Sequence, residues 1–385
     1  MNTKKFLSAI LAMVLCVTLF ASCSSKPEAD VPEAGASETV KLGFIGPLSG
    51  PASQYGEGCK NGVDMYINEL NAKGGINGKQ VELIAYDDKS EATESTSAYS
   101  RLVDEDGVVA IFGPVTTNPA EAVAALAAED GFPLITASAT GDTLTDIGDT
   151  FFRSCFKDSF QGVKMGKYAS EVLGLKKVAV LINNSDAYSV GLAGAFVDSC
   201  KETGVEVVAN ESYSGDDADF KSQLTNIAAA KPEALYIPYY YENVYAIAQQ
   251  AKEVGLNVPF LGGDGFDGLL GIENVDAALL EGFIFTNHYS QEASPKSGEF
   301  AAQYETKYGV APMSFSFTSY DSAQILTDAI AKAASMSSED IVKALKATDL
   351  DCLTSHYTFD ADNNPSKDCA MIKIEGGKYV FDQMF

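Results

Sequence analysis

From Val40 onward the sequence predicts an α/β fold of two lobes, each built on a parallel sheet with helices on both faces. Three observations predict it. Short runs rich in Val, Ile and Phe, ending in Gly, Pro, Ser or Thr, alternate with amphipathic stretches of helical length, as repeated strand–helix units do. Nine such strand candidates are many for one sheet. About 345 of the 385 residues lie in this region, the length of two domains.

The expected strands, in order, are Val40–Ile45, Val81–Asp87, Val108–Phe112, Leu134–Ala137, Val178–Asn183, Glu206–Tyr213, Ala234–Pro238, Pro259–Gly262 and Gly282–Asn287. Helices are expected between them at Gly56–Ala72, Ala92–Asp104, Pro119–Glu129, Gln161–Leu173, Ser189–Thr203, Phe220–Ala230 and Asn243–Glu253. From Ser294 the character changes. Helices are expected at Ser297–Lys307, Ser319–Ala334 and Ser338–Ala347. Short strands follow at His356–Phe359, Cys369–Ile374 and Lys378–Phe381, the last two joined by the Gly376-Gly377 turn.

The first 23 residues carry a different signal. Lys4 and Lys5 precede an uncharged apolar run, Phe6 to Phe20, and then Ala21-Ser22-Cys23. This is the layout of a secretory signal peptide, and the run is too short to span a bilayer as a helix. Small residues directly before Cys23 resemble the lipobox of bacterial lipoproteins, with Phe20 where an aliphatic residue is usual. The resemblance implies that Cys23 is lipidated. Residues 24–39, made largely of Ser, Pro, Ala and acidic residues, read as a flexible tether. The body is therefore expected outside the cytoplasm, held to the membrane.

The 385 residues carry 27 Lys and Arg against 53 Asp and Glu, a formal charge of −26, with 46% hydrophobic residues. Such a chain can bury a core, but its field repels phosphate backbones, so nucleic acid is not an expected partner. Beyond Cys23 there are Cys59, Cys155, Cys200, Cys352 and Cys369. Export permits disulfides. Cys352 and Cys369 flank an expected hairpin and are the pair that could bridge. The spacings are not those of a zinc site. The only histidines are His288 and His356, read as surface or satisfied loop residues. Their scarcity, with no Gly-x-Ser-x-Gly elbow, Walker loop or Rossmann fingerprint, argues against an exported hydrolase or other enzyme, and no cofactor is expected. Asp360 to Asn364 mimics the start of a calcium loop, but Pro365 stands where Gly is needed and Met371 where the terminal Glu should be.

In an open parallel sheet the ligand sits beyond the carboxyl ends of the strands, so the loops there are the candidate sites. In Thr116-Thr117-Asn118-Pro119-Ala120-Glu121, Asn118 reads as an N-cap, Pro119 as the first helical residue and Glu121 as the return arm of a capping box. Capping would explain Asn118 and Glu121 but not the two hydroxyls before them. With the free N–H groups of the helix start these make an anion site. Ser138-Ala139-Thr140 ends the next strand and could supply further donors. Asp264, between Gly263 and Gly265, can meet an ammonium group at close range; Asp267 is an alternative for that role. Together the loops describe a trap for a zwitterion.

Ile45-Gly46-Pro47-Leu48-Ser49-Gly50-Pro51 to Tyr55-Gly56 resembles the opening of the Leu/Ile/Val-binding protein family. These are extracellular receptors of the type I periplasmic binding protein class that serve ABC transporters. Asn68 to Gly78 followed by Val81 to Asp88, then Gln250 to Leu256, and Tyr357-Thr358-Phe359-Asp360 strengthen the match, which covers the whole body after the tether. The resemblance implies a two-lobed fold with three hinge crossings, near Ser154–Asp158, Thr286–Tyr289 and Asp351–His356. It implies lobes of 40–156 plus 287–351 and 157–286 plus 352–385. It implies that Tyr55 lines the pocket and that the carboxylate loop falls near Val115-Thr116. It further implies that Ser138 and Thr140 complete an amino-acid clamp, that Tyr188 and Tyr240 are the second-lobe aromatics, and that Asp264 holds the ammonium. The expected role is delivery of an α-amino acid, branched-chain or similar, by a monomer to a membrane permease. Ligand sensing for a signalling partner, and binding of an amide or urea-type ligand, remain alternatives.

Overall fold

The computed structural model describes residues 39–215 and 217–385. The expected signal segment, Cys23 and nearly all of the tether lie outside the described residues.

The first sheet is five-stranded and wholly parallel, in the order β2-β1-β3-β4-β5. Its strands are β1 (Val40–Gly46), β2 (Val81–Asp87), β3 (Ile111–Phe112), β4 (Leu134–Thr136) and β5 (Phe151–Arg153). Helices α1 (Ser53–Ala72), α2 (Ala92–Ser100) and α3 (Thr117–Asp130) connect them. The second sheet has strands β6 (Lys177–Asn183), β7 (Glu206–Tyr213), β8 (Ala234–Tyr236), β9 (Phe260–Gly262) and β10 (Ile284–Asn287), parallel in the order β7-β6-β8-β9-β10. Helices α4 (Asp158–Glu171), α5 (Ala187–Thr203), α6 (Lys221–Ala230) and α7 (Tyr241–Glu253) cover it.

Parallel strands covered on both faces are buried on both faces. Val178, Ala179, Val180 and Leu181 in β6 are accordingly all fully buried, each larger side chain contributing roughly 1.5–3 kcal/mol over exposure. Helices α8 (Pro295–Tyr308) and α9 (Ser314–Lys332) return to the first lobe, where Phe300, Tyr304 and Phe317 pack with Met65 of α1; α10 (Ser338–Lys346) follows and packs on α9. Chain ends of helices follow local chemistry. Gly131, Gly204 and Gly309 close α3, α5 and α8 in the left-handed conformation. Ser294 caps α8 in a capping box with Ser297, with Pro295 in its first turn.

The chain leaves the first sheet after β5 and enters α4 at Asp158; it leaves the second sheet after β10 and reaches α8 at Pro295. The third crossing is later than the sequence suggested. Strands β11 (Asp349–Asp351) and β12 (His356–Thr358) pair as a separate antiparallel ribbon. Phe359 then stacks edge-on against Phe152 of β5, and the Asn363 amide donates to the carbonyls of Asp149 and Phe151. Only with β13 (Ala370–Glu375), antiparallel to β10, and β14 (Lys378–Met384) does the chain join the second sheet.

The expected disulfide is absent: all five cysteines among the described residues are free. Cys352 lies in the turn of the β11–β12 ribbon, whereas Cys369 opens the separate β13–β14 hairpin. Among the described residues no helix is long and apolar enough to cross a membrane.

Candidate functional site

The carboxyl ends of β1, β3 and β4 in one lobe face those of β6, β8 and β9 in the other. The loops there line a narrow cavity. All eight residues singled out from the sequence line it: Tyr55, Val115, Thr116, Ser138, Thr140, Tyr188, Tyr240 and Asp264. Thr117, Gly265 and Phe315 complete the wall. A wider, open hollow of about 1110 Å³ on the chain crossings is lined by Phe156, Lys157, Lys164 and Lys367 among others. It contains none of the eight.

The first lobe presents hydroxyls and a helix start. Gly113 lets the loop turn: its φ is 101°, and a Cβ there would lie 2.1 Å from the Ile45 carbonyl oxygen. The expected cap is displaced. Helix α3 begins at Thr117, with Thr116 in extended conformation as the N-cap and no side-chain cap. The Thr-Thr-Asn-Pro run admits an earlier start because Pro is tolerated anywhere in the first turn. Asn118 is thereby freed, and its Oδ1 accepts from the backbone N–H of Ala187 in the opposite lobe at 3.0 Å. Glu121 accepts from Thr143, not from the cap. The Thr116 and Ser90 hydroxyls are 2.6 Å apart. Ser138 donates to the Val115 carbonyl at 2.7 Å, so its proton is committed and its oxygen is an acceptor rather than the further donor expected from the sequence. Beneath this loop lies Arg153, fully buried, donating to the carbonyls of Thr140 and Gly141 at 3.0 and 2.9 Å. Burial lowers its pKa, and its two bonds pin the Thr140–Gly141 backbone.

The second lobe presents a carboxylate. Asp264 is 2% exposed. Its Oδ1 accepts from the Tyr188 hydroxyl at 2.8 Å and the Gln161 amide at 3.0 Å, and its Oδ2 lies 2.8 Å from Nε2 of His288. No Lys or Arg is among these partners. The Gln161 amide orientation follows from its other bonds: Oε1 accepts from the Asp264 N–H and the Thr286 hydroxyl, so Nε2 is the nitrogen facing Asp264 and Asp158. Burial, then the Asp264 charge, pushes Asp158 well above the usual carboxylate range. Burial likewise lowers the His288 pKa against the opposing pull of Asp264. Asp267, the alternative acid, faces elsewhere. It accepts from Asn287 and from the Ser314 N–H and does not line the cavity.

Aromatic rings close the space. Tyr188 and Tyr240 stack nearly parallel, 5.2 Å apart at 4°. Tyr55 meets Tyr240 and Phe315 edge-on at 5.8 and 5.2 Å. Burial raises the pKa of all three tyrosines well above the usual range, so they are neutral donors. The Tyr55 hydroxyl donates to the Gly265 carbonyl at 2.6 Å. With the Asn118–Ala187 contact this bonds one lobe to the other: the cleft is shut.

Gln161, Arg153, Phe315 and His288 were not singled out from the sequence, and His288 is no surface residue but wholly buried. The available signal was rarity: His288 is one of two histidines and Arg153 one of two arginines.

Residues 39–378 match the family model described as periplasmic binding protein. The Leu/Ile/Val-binding protein BraC3 of Rhizobium johnstonii is 32% identical over 371 residues, 95% of this chain and 98% of that protein. Among solved structures, the branched-chain amino acid transporter substrate binding protein LivJ of Streptococcus pneumoniae, in complex with isoleucine, is 34% identical with a TM-score of 0.85, covering 90% of this chain and 99% of its own. The leucine binding protein LivK of Thermotoga maritima is 30% identical with a TM-score of 0.83, covering 90% and 98%.

Proposed function

Because the chain belongs to the periplasmic binding protein family, we propose that it is the substrate-binding component of an ABC importer and takes a branched-chain α-amino acid between its lobes. One observation carries the reading. A buried carboxylate with no protein cation on it, Asp264, faces the hydroxyls of Thr116 and Thr140 and the free N–H groups at the start of α3 across the narrow space between the lobes. A buried charge needs a counter-charge, and an α-ammonium supplies it. The helix start with Thr116 and Thr117 suits the α-carboxylate. Ser138 and Thr140 share the polar end, and Tyr55, Val115, Tyr188, Tyr240 and Phe315 surround an apolar side chain.

The ligand bridges the lobes, so it stabilises the shut form by contacts the open form lacks. Hinge motion is assigned to the three segments 154–157, 288–294 and 365–369. Cys23 carries the lipid that holds the protein to the membrane beside its permease, supported by the residues before it. The protein acts as a monomer. A thermal-shift screen of the twenty amino acids tests the ligand class: leucine, isoleucine or valine at about 100 times its dissociation constant adds roughly 2.7 kcal/mol of stability. A screen in which no amino acid raises Tm refutes the reading.

A further inference from the structure

The role of His288 is not given by the fold. Its side chain is completely buried just past β10, on the second crossing between lobes. The Phe156 ring, on the first crossing, lies against it with centroids 3.8 Å apart, and Phe315 of α9 lies 5.5 Å away. Nε2 is 2.8 Å from Asp264 Oδ2, while Nδ1 has no partner. This fixes the tautomer. A proton on Nδ1 would leave a buried N–H unsatisfied and would set the Nε2 lone pair against a carboxylate lone pair. The proton is therefore on Nε2, and only an unpartnered lone pair remains at Nδ1.

We propose that His288 is a positioning residue for the ligand's ammonium group: its Nε2–H occupies one side of Asp264 Oδ2 and leaves a single acceptor direction open to the cavity. A carboxylate offers about four lone-pair directions. Tyr188 and Gln161 take the two on Oδ1 and His288 takes one on Oδ2. With both oxygens pinned, the carboxylate cannot rotate about its last bond, and the fourth direction is fixed before a ligand arrives. All three donors are neutral, so none replaces the counter-charge that an ammonium brings. The specificity consequence is that the site recognises one N–H donor at one place. The proposal rests on the amino-acid reading above.

The test compares His288→Leu, His288→Gln and the unaltered protein by calorimetric titration with L-leucine and with 4-methylpentanoate, which is leucine without its amine. Weak binding of the second compound is read by competition. Leucine is expected to bind His288→Leu about tenfold or more weakly, the scale of a lost charge-assisted hydrogen bond, while 4-methylpentanoate changes little. His288→Gln, whose amide can donate to Oδ2, is expected to recover most of the loss. A parallel fall for both compounds, or no rescue by Gln, makes His288 a packing residue and overturns the proposal, as does unchanged leucine affinity. If leucine does not bind the unaltered protein, or binds no better than 4-methylpentanoate, the functional reading fails first, a distinguishable result.

Discussion

Removing one oxygen, by Tyr55→Phe, separates closure from recognition. The Tyr55 ring would keep its edge-on contacts with Tyr240, Tyr241 and Phe315. What is lost is the 2.6 Å bond to the Gly265 carbonyl and the weaker one, 3.4 Å, from the Tyr241 N–H. In the open form both groups can meet water, so the cost falls on the shut form alone. A typical hydrogen bond is worth about 0.5–1.5 kcal/mol net, and a buried carbonyl left without a partner costs about 1–3 kcal/mol. The shut form should lose roughly 1–3 kcal/mol, which is about 5- to 150-fold in affinity. Calorimetry gives the affinity, and stopped-flow fluorescence or surface plasmon resonance divides it into rates. The loss should lie in faster release with little change in the association rate, because encounter occurs with the open cleft. The Tm of the ligand-free protein should stay within about 2 °C of the unaltered chain. Unchanged affinity, or a slower association with unchanged release, would refute the reasoning.

Three further outcomes are expected. Asp264→Ala removes the proposed partner of the ammonium and should weaken leucine binding by roughly 2–5 kcal/mol; a calorimetric loss of less than about fivefold would mean that another group holds the amine. Asp88 and Asp186 are both pushed up to about 6, chiefly by burial. Their folded-state pKa exceeds the unfolded value near 3.9, so the stability they contribute is present in full below about pH 4 and is lost as pH rises through 6. The gain in Tm from pH 7.5 to pH 5 should shrink in Asp88→Asn/Asp186→Asn, each site carrying about 1.4 kcal/mol of that dependence, roughly half of what it contributes below pH 4; an identical pH slope in the double variant would rule these two acids out as its source. Cys23→Ser should move the protein from the membrane fraction to the soluble fraction with its ligand affinity intact, and retention on the membrane would exclude a lipid at that position.

The candidate site was unusually legible because of where a parallel sheet puts its loops. Each strand of a parallel lobe ends at the same edge, so Thr116, Ser138 and Asp264 could be brought together from strand order alone, without side-chain packing, whereas Tyr188 and Tyr240 came from the family resemblance. The same logic is blind to residues that arrive from other directions. Gln161 comes from the first turns of α4, Phe315 from α9, and His288 from a crossing; their places depend on how the lobes meet. Arg153 was hidden because β5 is three residues long and shows no periodicity. The cap at Asn118 was misread because the run Thr116 to Glu121 satisfies the rules for two helix starts, and only the bond to Ala187 across the cleft decides between them. The disulfide inference failed for a related reason: proximity in sequence to turns does not say that two turns belong to one hairpin.

The parallel stack of Tyr188 on Tyr240 has a thermodynamic consequence. Tyr188 opens α5 and Tyr240 precedes α7, so both rings, with Asp264 hydrogen-bonded to one of them, belong to a single rigid lobe. Immobilising a side chain at an interface costs about 0.5–1.5 kcal/mol, and here that ordering is completed during folding. This half of the site is preorganised, so ligands differing only in their apolar branch should differ in affinity through fit against a fixed plate rather than through rearrangement of it.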